Sequence, residues 1–318
     1  MTTQALAMAA RPIERVPTVT DAHQHFWRIE RGDYGWLTPR LGAIYRDFLP
    51  ADFAPIVARR GVDATILVQA APTVAETRFL LALATATPLV AGVVGWAPFA
   101  SVDAPTQIAA LAEHPLLVGL RPMVQDEPDD DWLLRPALRA AFDALVAHRL
   151  VFDALVLPRH LTRLARVLDR HPGLSVVVDH GAKPRIRERE IDTWRADMTT
   201  IAAHPNVTCK LSGLVTEAPD RAGLDVLQPY VDALLELFGP QRLIWGSDWP
   251  VVELDGGYDR WHAMAQQALR KLKADERAAV FGGNAVRVYL DAGRRAGARR
   301  ATPTQQRRTV LPRGGHET

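Results

Sequence analysis

Thr18-Val19-Thr20-Asp21-Ala22-His23-Gln24-His25-Phe26-Trp27 is a short β-branched run that empties into two histidines one residue apart. On an extended strand successive side chains alternate between faces, so His23 and His25 project to one side and Gln24 to the other. Two imidazoles on one face at a strand end can share a metal ion or flank a substrate carbonyl. A bare His-x-His can equally be two polar residues satisfied at a loop entrance. The rest of the chain decides, through the number of further strands and the residues on which they end.

An aromatic, turn-rich insert follows at residues 28–46, with Tyr34, Trp36 and Tyr45 among glycines and prolines. Loops of this length and composition commonly cover a site. A helix is expected over 49–61, with Asp52 near its start and Gly61 closing it. Further strands are predicted at 63–69, 89–95, 116–121, 151–156, 174–180, 207–212 and 243–246. Helical spacing is read at 76–85, 105–113, 135–148, 161–170, 191–203 and 224–238, then at 275–281 and 284–290. Eight strands, each followed by a helical stretch, predict an α/β fold of the (β/α)8 TIM barrel type. The strands are short and apolar nearly throughout, as parallel strands covered on both faces must be. A doubly wound open sheet is the competitor, but no Gly-x-Gly-x-x-Gly follows the first strand.

The 318 residues suit one barrel of roughly 250 residues with extensions. No apolar run approaches the ~20 residues a membrane span requires, and residues 1–17 lack the basic start and apolar run of a secretory signal. The single cysteine, Cys209, excludes an internal disulfide framework and a Cys-rich zinc site. A cytoplasmic location is the resulting expectation. The formal charge of +2 conceals an uneven distribution. Residues 292–318 carry seven arginines against Glu317, a charge of +6, which leaves −4 for the remainder. The chain is therefore divided into a flexible leader (1–17), a barrel (18–291) and a disordered Arg-rich tail (292–318). With no basic patch interleaved with aromatics, no nucleic-acid partner is expected, and no membrane partner either. The expected partner is a small molecule, with homo-oligomerisation left open.

In a barrel of this kind the chemistry lies where the strands end. Strand one ends on His23 and His25, strand two on Gln69, and strand four on Arg121. Strand five carries Asp153, strand six ends on Asp179 and His180, strand seven gives Lys210 and Ser212, and strand eight gives Ser247 and Asp248. Asp-Ala-His-Gln-His-Phe-Trp, Leu-Val-Gln-Ala, Gly-Leu-Arg, Val-Asp-His-Gly-Ala-Lys-Pro, Lys-Leu-Ser-Gly-Leu and Trp-Gly-Ser-Asp-Trp-Pro resemble, in order, the blocks of the amidohydrolase superfamily. The branch resembled is that of the sugar-lactone hydrolases, such as the L-fuconolactonases and L-rhamnonolactonases, relatives of 2-pyrone-4,6-dicarboxylate lactonase.

The resemblance covers residues 18–290. It implies a distorted barrel that hydrolyses a lactone ring, with His23, His25, His180 and Asp248 at the matching reactive positions. Two features depart from the pattern. Strand five has Phe-Asp-Ala-Leu where metal-rich members supply a histidine, and the order His-Gly-Ala-Lys-Pro leaves the placement of Lys183 open.

Opening a lactone requires an activated water, a stabilised oxyanion and a proton for the leaving alkoxide. Asp248 is the expected base, His180 orients the water or donates to the oxyanion, and His23 and His25 polarise the carbonyl, directly or through a metal. Arg121 and Lys210 are expected to bind hydroxyls or the new carboxylate. Gln69, Asp153, Trp27, Trp249 and Lys183 are expected to complete the substrate pocket. One Zn²⁺ is expected at His23, His25 and Asp248, without being strictly required. A metal-dependent decarboxylase and a non-catalytic sugar-acid-binding barrel are the alternatives.

Overall fold

In the computed structural model, which describes residues 18–291, the apolar runs form eight parallel strands paired in sequence order. They are β1 (Thr20–Gln24), β2 (Ala64–Val68), β3 (Val90–Gly95), β4 (Leu117–Leu120), β5 (Val151–Ala154), β6 (Val176–Val178), β7 (Val207–Leu211) and β8 (Leu243–Trp245). The sheet returns on itself where Gln24 pairs in parallel with Trp249. There the His25 N–H donates to the Trp249 carbonyl (2.7 Å) and the Asp248 N–H to the His23 carbonyl (2.8 Å). The expected (β/α)8 TIM barrel is the architecture found.

Between the strands lie α1 (Pro50–Arg60), α2 (Val74–Ala86), α3 (Ala104–Ala112), α4 (Arg139–His148), α5 (Leu161–Arg170), α6 (Asp192–Ala202), α7 (Leu214–Glu217), α8 (Leu224–Phe238), α9 (Gly257–Ala268) and α10 (Ala274–Ala278). Each long helix buries one stripe against the sheet. In α5 the buried set is Leu161, Leu164, Ala165, Val167 and Leu168, the three- and four-residue spacing of a helix with one covered face.

Three expectations are corrected. The helix read over 135–148 starts only at Arg139, because residues 132–138 form 3₁₀ turns around Pro136. The strand read over 174–180 stops at Val178, since His180 to Lys183 all turn left-handed. Helix α9 was not foreseen: Gly256-Gly257 reads as a loop, yet Tyr258, Trp261, Ala265 and Ala268 supply a buried stripe.

The barrel interior is layered. Ala22, Ile66, Val68, Val94, Val118, Val151, Val177 and Ile244 form an inner apolar cluster, and Ala285, Val286, Tyr289 and Leu290 close it from below. This closing segment follows α10 in wide π-type turns. It is tied to the barrel by Asn284, whose amide donates to the Pro240 (2.8 Å) and Leu243 (2.7 Å) carbonyls. Among the described residues no helix is long and apolar enough to cross a membrane. The leader and tail read from the sequence lie outside the described residues.

Candidate active site

Above the apolar layer the alternation of the strands brings charged groups inward. Two residues after inner Val151 comes Asp153, and two after inner Val177 comes Asp179. Lys210 of β7 donates to Asp153 (2.5 Å) and stands 3.0 Å from Asp179 Oδ1, and all three side chains are fully buried. From below, the Tyr289 hydroxyl lies 2.9 Å from both Asp153 oxygens. Arg121 completes the set: Nη1 stands 3.2 Å from Asp179 Oδ2, and Nη2 donates to the Gln69 carbonyl. Two carboxylates thus face two cations, which is how buried charge is tolerated.

Burial alone would raise the Asp179 carboxyl, but Lys210, His23 and Arg121 outweigh it and hold Asp179 well below the usual carboxylate range. Asp153 goes the other way. Burial, reinforced by the Asp179 charge, pushes it up to about 6.

The top layer holds the histidines. A bulge sits in β1, where Asp21 to Gln24 advances three residues against two in β2, Thr65 to Leu67. It turns both Ala22 and His23 inward: Ala22 joins the inner cluster, while His23 meets Asp179 and Arg121. Gly246 is required beside it, because a Cβ there would stand 2.6 Å from the His23 Cβ. His25 follows on the same side, and His180 enters from the turn after β6.

These three imidazoles converge on one carboxylate oxygen. Asp248 Oδ1 lies 3.3 Å from His25 Nε2, 3.6 Å from His23 Nε2 and 4.0 Å from His180 Nε2. His180 and Asp248 are both left-handed, at φ 53° and 60°. Non-glycine residues seldom adopt this conformation, and where they do it is commonly held by its surroundings at functional sites. The His180 ring is held by Ser212, 2.9 Å from Nδ1.

Hydrogen-bond logic fixes the tautomers. His25 Nδ1 faces the Val68 carbonyl at 2.8 Å and must donate, so in the neutral ring Nε2 carries a lone pair. Arg121 Nη1, which can only donate, faces His23 Nε2 at 3.4 Å, while Asp179 Oδ1 lies 3.5 Å from Nδ1. The neutral His23 therefore also presents a lone pair at Nε2. The His25 lone pair and a carboxylate oxygen then point at one small space bordered by His23 Nε2, whose lone pair faces Arg121, an arrangement that calls for a proton or a cation. His23, His25 and Asp248 accordingly fit a metal ion. The overlapping group of His23, Asp179 and His180 fits less well, since Lys210 and Arg121 already neutralise Asp179.

Charge state follows from the same crowding. Burial lowers both His23 and His180, the latter to about 4. Burial raises the Asp248 carboxyl, and a proton carried on His180, His25 or His23 beside it pulls it down.

The remaining residues named from the sequence are distributed unevenly. Gln69 is buried and donates to the Arg121 carbonyl (2.7 Å), with its own Oε1 unpartnered. Trp27 lies near-parallel to the His25 ring at 6.3 Å and donates to the Arg46 carbonyl. Lys183 reaches the mouth and pairs with Glu217 at 3.6 Å. Three residues are not brought to the mouth. Lys210 and Asp153 are consumed by their own ion pair in the layer beneath, and Trp249 stacks on Phe53 within the aromatic core.

Four participants escaped the sequence reading. Asp179 was seen only as a strand end, yet it joins Lys210, Arg121 and His23. Tyr289 lies far along the chain in a helix-like stretch. Buried Glu76 accepts the Ala70 and Ala71 N–H groups (3.0 and 2.7 Å) and shapes the loop after β2. Glu217 faces Lys183. The signal for Asp179 was its two-residue offset from an inward valine; the contact of Tyr289 depends on the closed barrel, whereas Glu76 meets N–H groups only five and six residues back, in the turn after β2.

The aromatic insert does border this mouth. The Trp36 indole N–H donates to the Ala70 carbonyl (2.7 Å), its ring packs edge-on against Trp27 at 5.5 Å, and Asp33 accepts the Thr73 hydroxyl (2.9 Å).

A family profile described as Amidohydrolase matches residues 20–290. The chain belongs to the amidohydrolase family. This amidohydrolase is 51% identical over 273 residues to an L-fucono-1,5-lactonase from Burkholderia ambifaria, across 85% of this chain and 94% of that protein. It is 40% identical over 283 residues to an L-fucono-1,5-lactonase from Burkholderia multivorans, across 85% of this chain and 95% of that protein. An amidohydrolase from Burkholderia multivorans, solved with bound zinc, superposes with a TM-score of 0.81 at 37% identity, over 85% of this chain and 98% of that one.

Proposed function

We propose that this amidohydrolase opens a sugar lactone, an aldonolactone of the L-fuconolactone or L-rhamnonolactone kind, to the aldonic acid. The observation that carries the reading is the convergence of His23, His25 and His180 on Asp248 at the barrel mouth, in a chain 51% identical to an L-fucono-1,5-lactonase. In the reaction, water attacks the lactone carbonyl carbon and gives a proton to Asp248. His180, neutral and 4.0 Å away, orients the water and is the second proton acceptor. As the tetrahedral centre collapses the ring C–O bond breaks, and the held proton passes to the leaving alkoxide.

The neutral His23 and His25 present acceptors and cannot donate to the carbonyl oxygen, so the Arg121 charge behind His23 is what opposes the developing negative charge there. A divalent ion held by His23, His25 and Asp248 would add Lewis-acid polarisation of that oxygen. Lys183 at the mouth is placed for a hydroxyl or the new carboxylate, and the half-buried Trp36, backed by the buried Trp27, offers an apolar wall for C–H surface. The test is to mix the protein with aldonolactones in weak buffer and follow acid release. Failure across both ring sizes and several stereochemistries would remove the reading.

Two further results are expected. Exhaustive chelation leaves most lactonase activity in place, because a lactone is an activated ester and Arg121 supplies fixed positive charge. Full inactivation by chelator, restored by stoichiometric Zn²⁺, would count against this.

The second concerns pH. The active form of His180 is neutral, and burial lowers its pKa to about 4. Activity is therefore lost only as pH falls through about 4, and kcat/KM should stay level from pH 7 down to about 5. A limb near 6.5, the value of a free imidazole, would show that His180 is not the controlling group.

A further inference from the structure

We infer that Arg121 competes with a metal ion for His23, and so holds the site of His23, His25 and Asp248 at low metal affinity. The Arg121 Nη1 atom lies 3.4 Å from His23 Nε2, and a guanidinium can only donate. It therefore occupies the lone pair that a ligand histidine would turn to the ion. To take up a metal, His23 must lose that hydrogen bond while a permanent positive charge stays beside it.

The guanidinium has little room to withdraw. Nη2 donates to the Gln69 carbonyl, Nη1 also faces Asp179 Oδ2 at 3.2 Å, and the Arg121 carbonyl accepts from Gln69 Nε2 at 2.7 Å. The residue is 3% exposed. Its counter-charge does not help the metal side. Asp179 Oδ1 faces the opposite ring nitrogen, Nδ1, and the carboxylate is shared with Lys210. On the Nε2 side Asp248 is the one carboxylate among the three ligands, and a fixed cation opposes it. The same charge is available to a developing oxyanion without any ion, which links the inference to the lactone reading. Its test nevertheless reads metal binding alone, so either can fail without the other.

The experiment is a Zn²⁺ competition titration against a chromophoric chelator, using metal-stripped protein. Arg121→Gln should bind Zn²⁺ about tenfold tighter or more than wild type, because a neutral side chain replaces a charge next to the ligand set. Arg121→Lys, which retains the charge, should stay within about threefold of wild type. Equal affinity of wild type and Arg121→Gln overturns the inference, and so does equal tightening in both variants. Should Arg121→Gln fail to fold, as judged by circular dichroism, the wild-type constant decides. A value weaker than roughly 100 nM supports the inference and a tighter one, in the range of structural zinc sites, overturns it.

Discussion

Asp248→Asn should lower kcat for an aldonolactone by roughly 10²-fold to 10⁴-fold, the range removal of a general base produces, with the melting temperature close to wild type. The carboxylate is the one anion among three imidazoles, so the amide removes both the proton acceptor and the charge that draws a cation there. The fold should survive for a specific reason. In the carboxylate form, the lone pair of His25 faces an oxygen that is also only an acceptor, while that of His23 takes the Arg121 guanidinium. Asparagine can turn its NH₂ toward the His25 lone pair and satisfy it. The left-handed backbone at 248 is also better tolerated by asparagine than by most residues. KM should move less than kcat, since the lost interaction develops as the water proton is transferred. Near-normal turnover in a well-folded Asp248→Asn protein would sink the base assignment.

The sequence made the barrel legible because eight apolar runs alternated with amphipathic stretches, and periodicity survives without knowledge of tertiary contacts. It also exposed the top layer, since His23, His25, His180 and Asp248 stand where those runs stop. Direction and depth were less accessible. Lys210 and Asp153 look like pocket residues from their strand positions, but an inward side chain one layer lower meets a charge from a strand one or two places round the barrel instead of solvent. Trp249 follows Asp248 directly, and the turn there sends it outward onto Phe53. The β1 bulge shows the limit most directly. Strict alternation would send Ala22 and His23 to opposite faces, and the extra residue in β1 brings both to the interior. Tyr289 lay beyond reach for a topological reason, because its partner Asp153 is 136 positions away and is met only through the closed barrel floor.

Lys210→Met should destabilise the protein by about 3 to 5 kcal/mol, the usual cost of removing one partner from a buried ion pair. Methionine matches the shape of lysine but leaves Asp153 and Asp179 facing each other without the ammonium that contacts both. Tyr289 and Arg121 would remain, one donor for each carboxylate. Two comparisons separate this cause from a simple packing defect. Adding Asp153→Asn to Lys210→Met removes one uncompensated charge, so the double variant should be more stable than the two single losses sum to, by about 1 kcal/mol or more. The pH dependence should also carry a sign. Asp153 in the wild type is pushed up to about 6, above the value of an unfolded carboxyl, with Lys210 pulling it down. Without Lys210 it rises further, so the folded variant takes up a proton more readily as pH falls, and proton uptake by the folded state stabilises it. Asp179 loses the same ammonium, the largest charge holding its carboxyl down, so it too moves up in the variant and acts in the same direction. The stability gap between wild type and Lys210→Met should therefore narrow between pH 8 and pH 5.5, read from denaturant midpoints at each pH. A gap that stays constant over that range, together with additive losses in the double variant, would mean that Lys210 fills space in the barrel and that its charge is not what the surrounding carboxylates require.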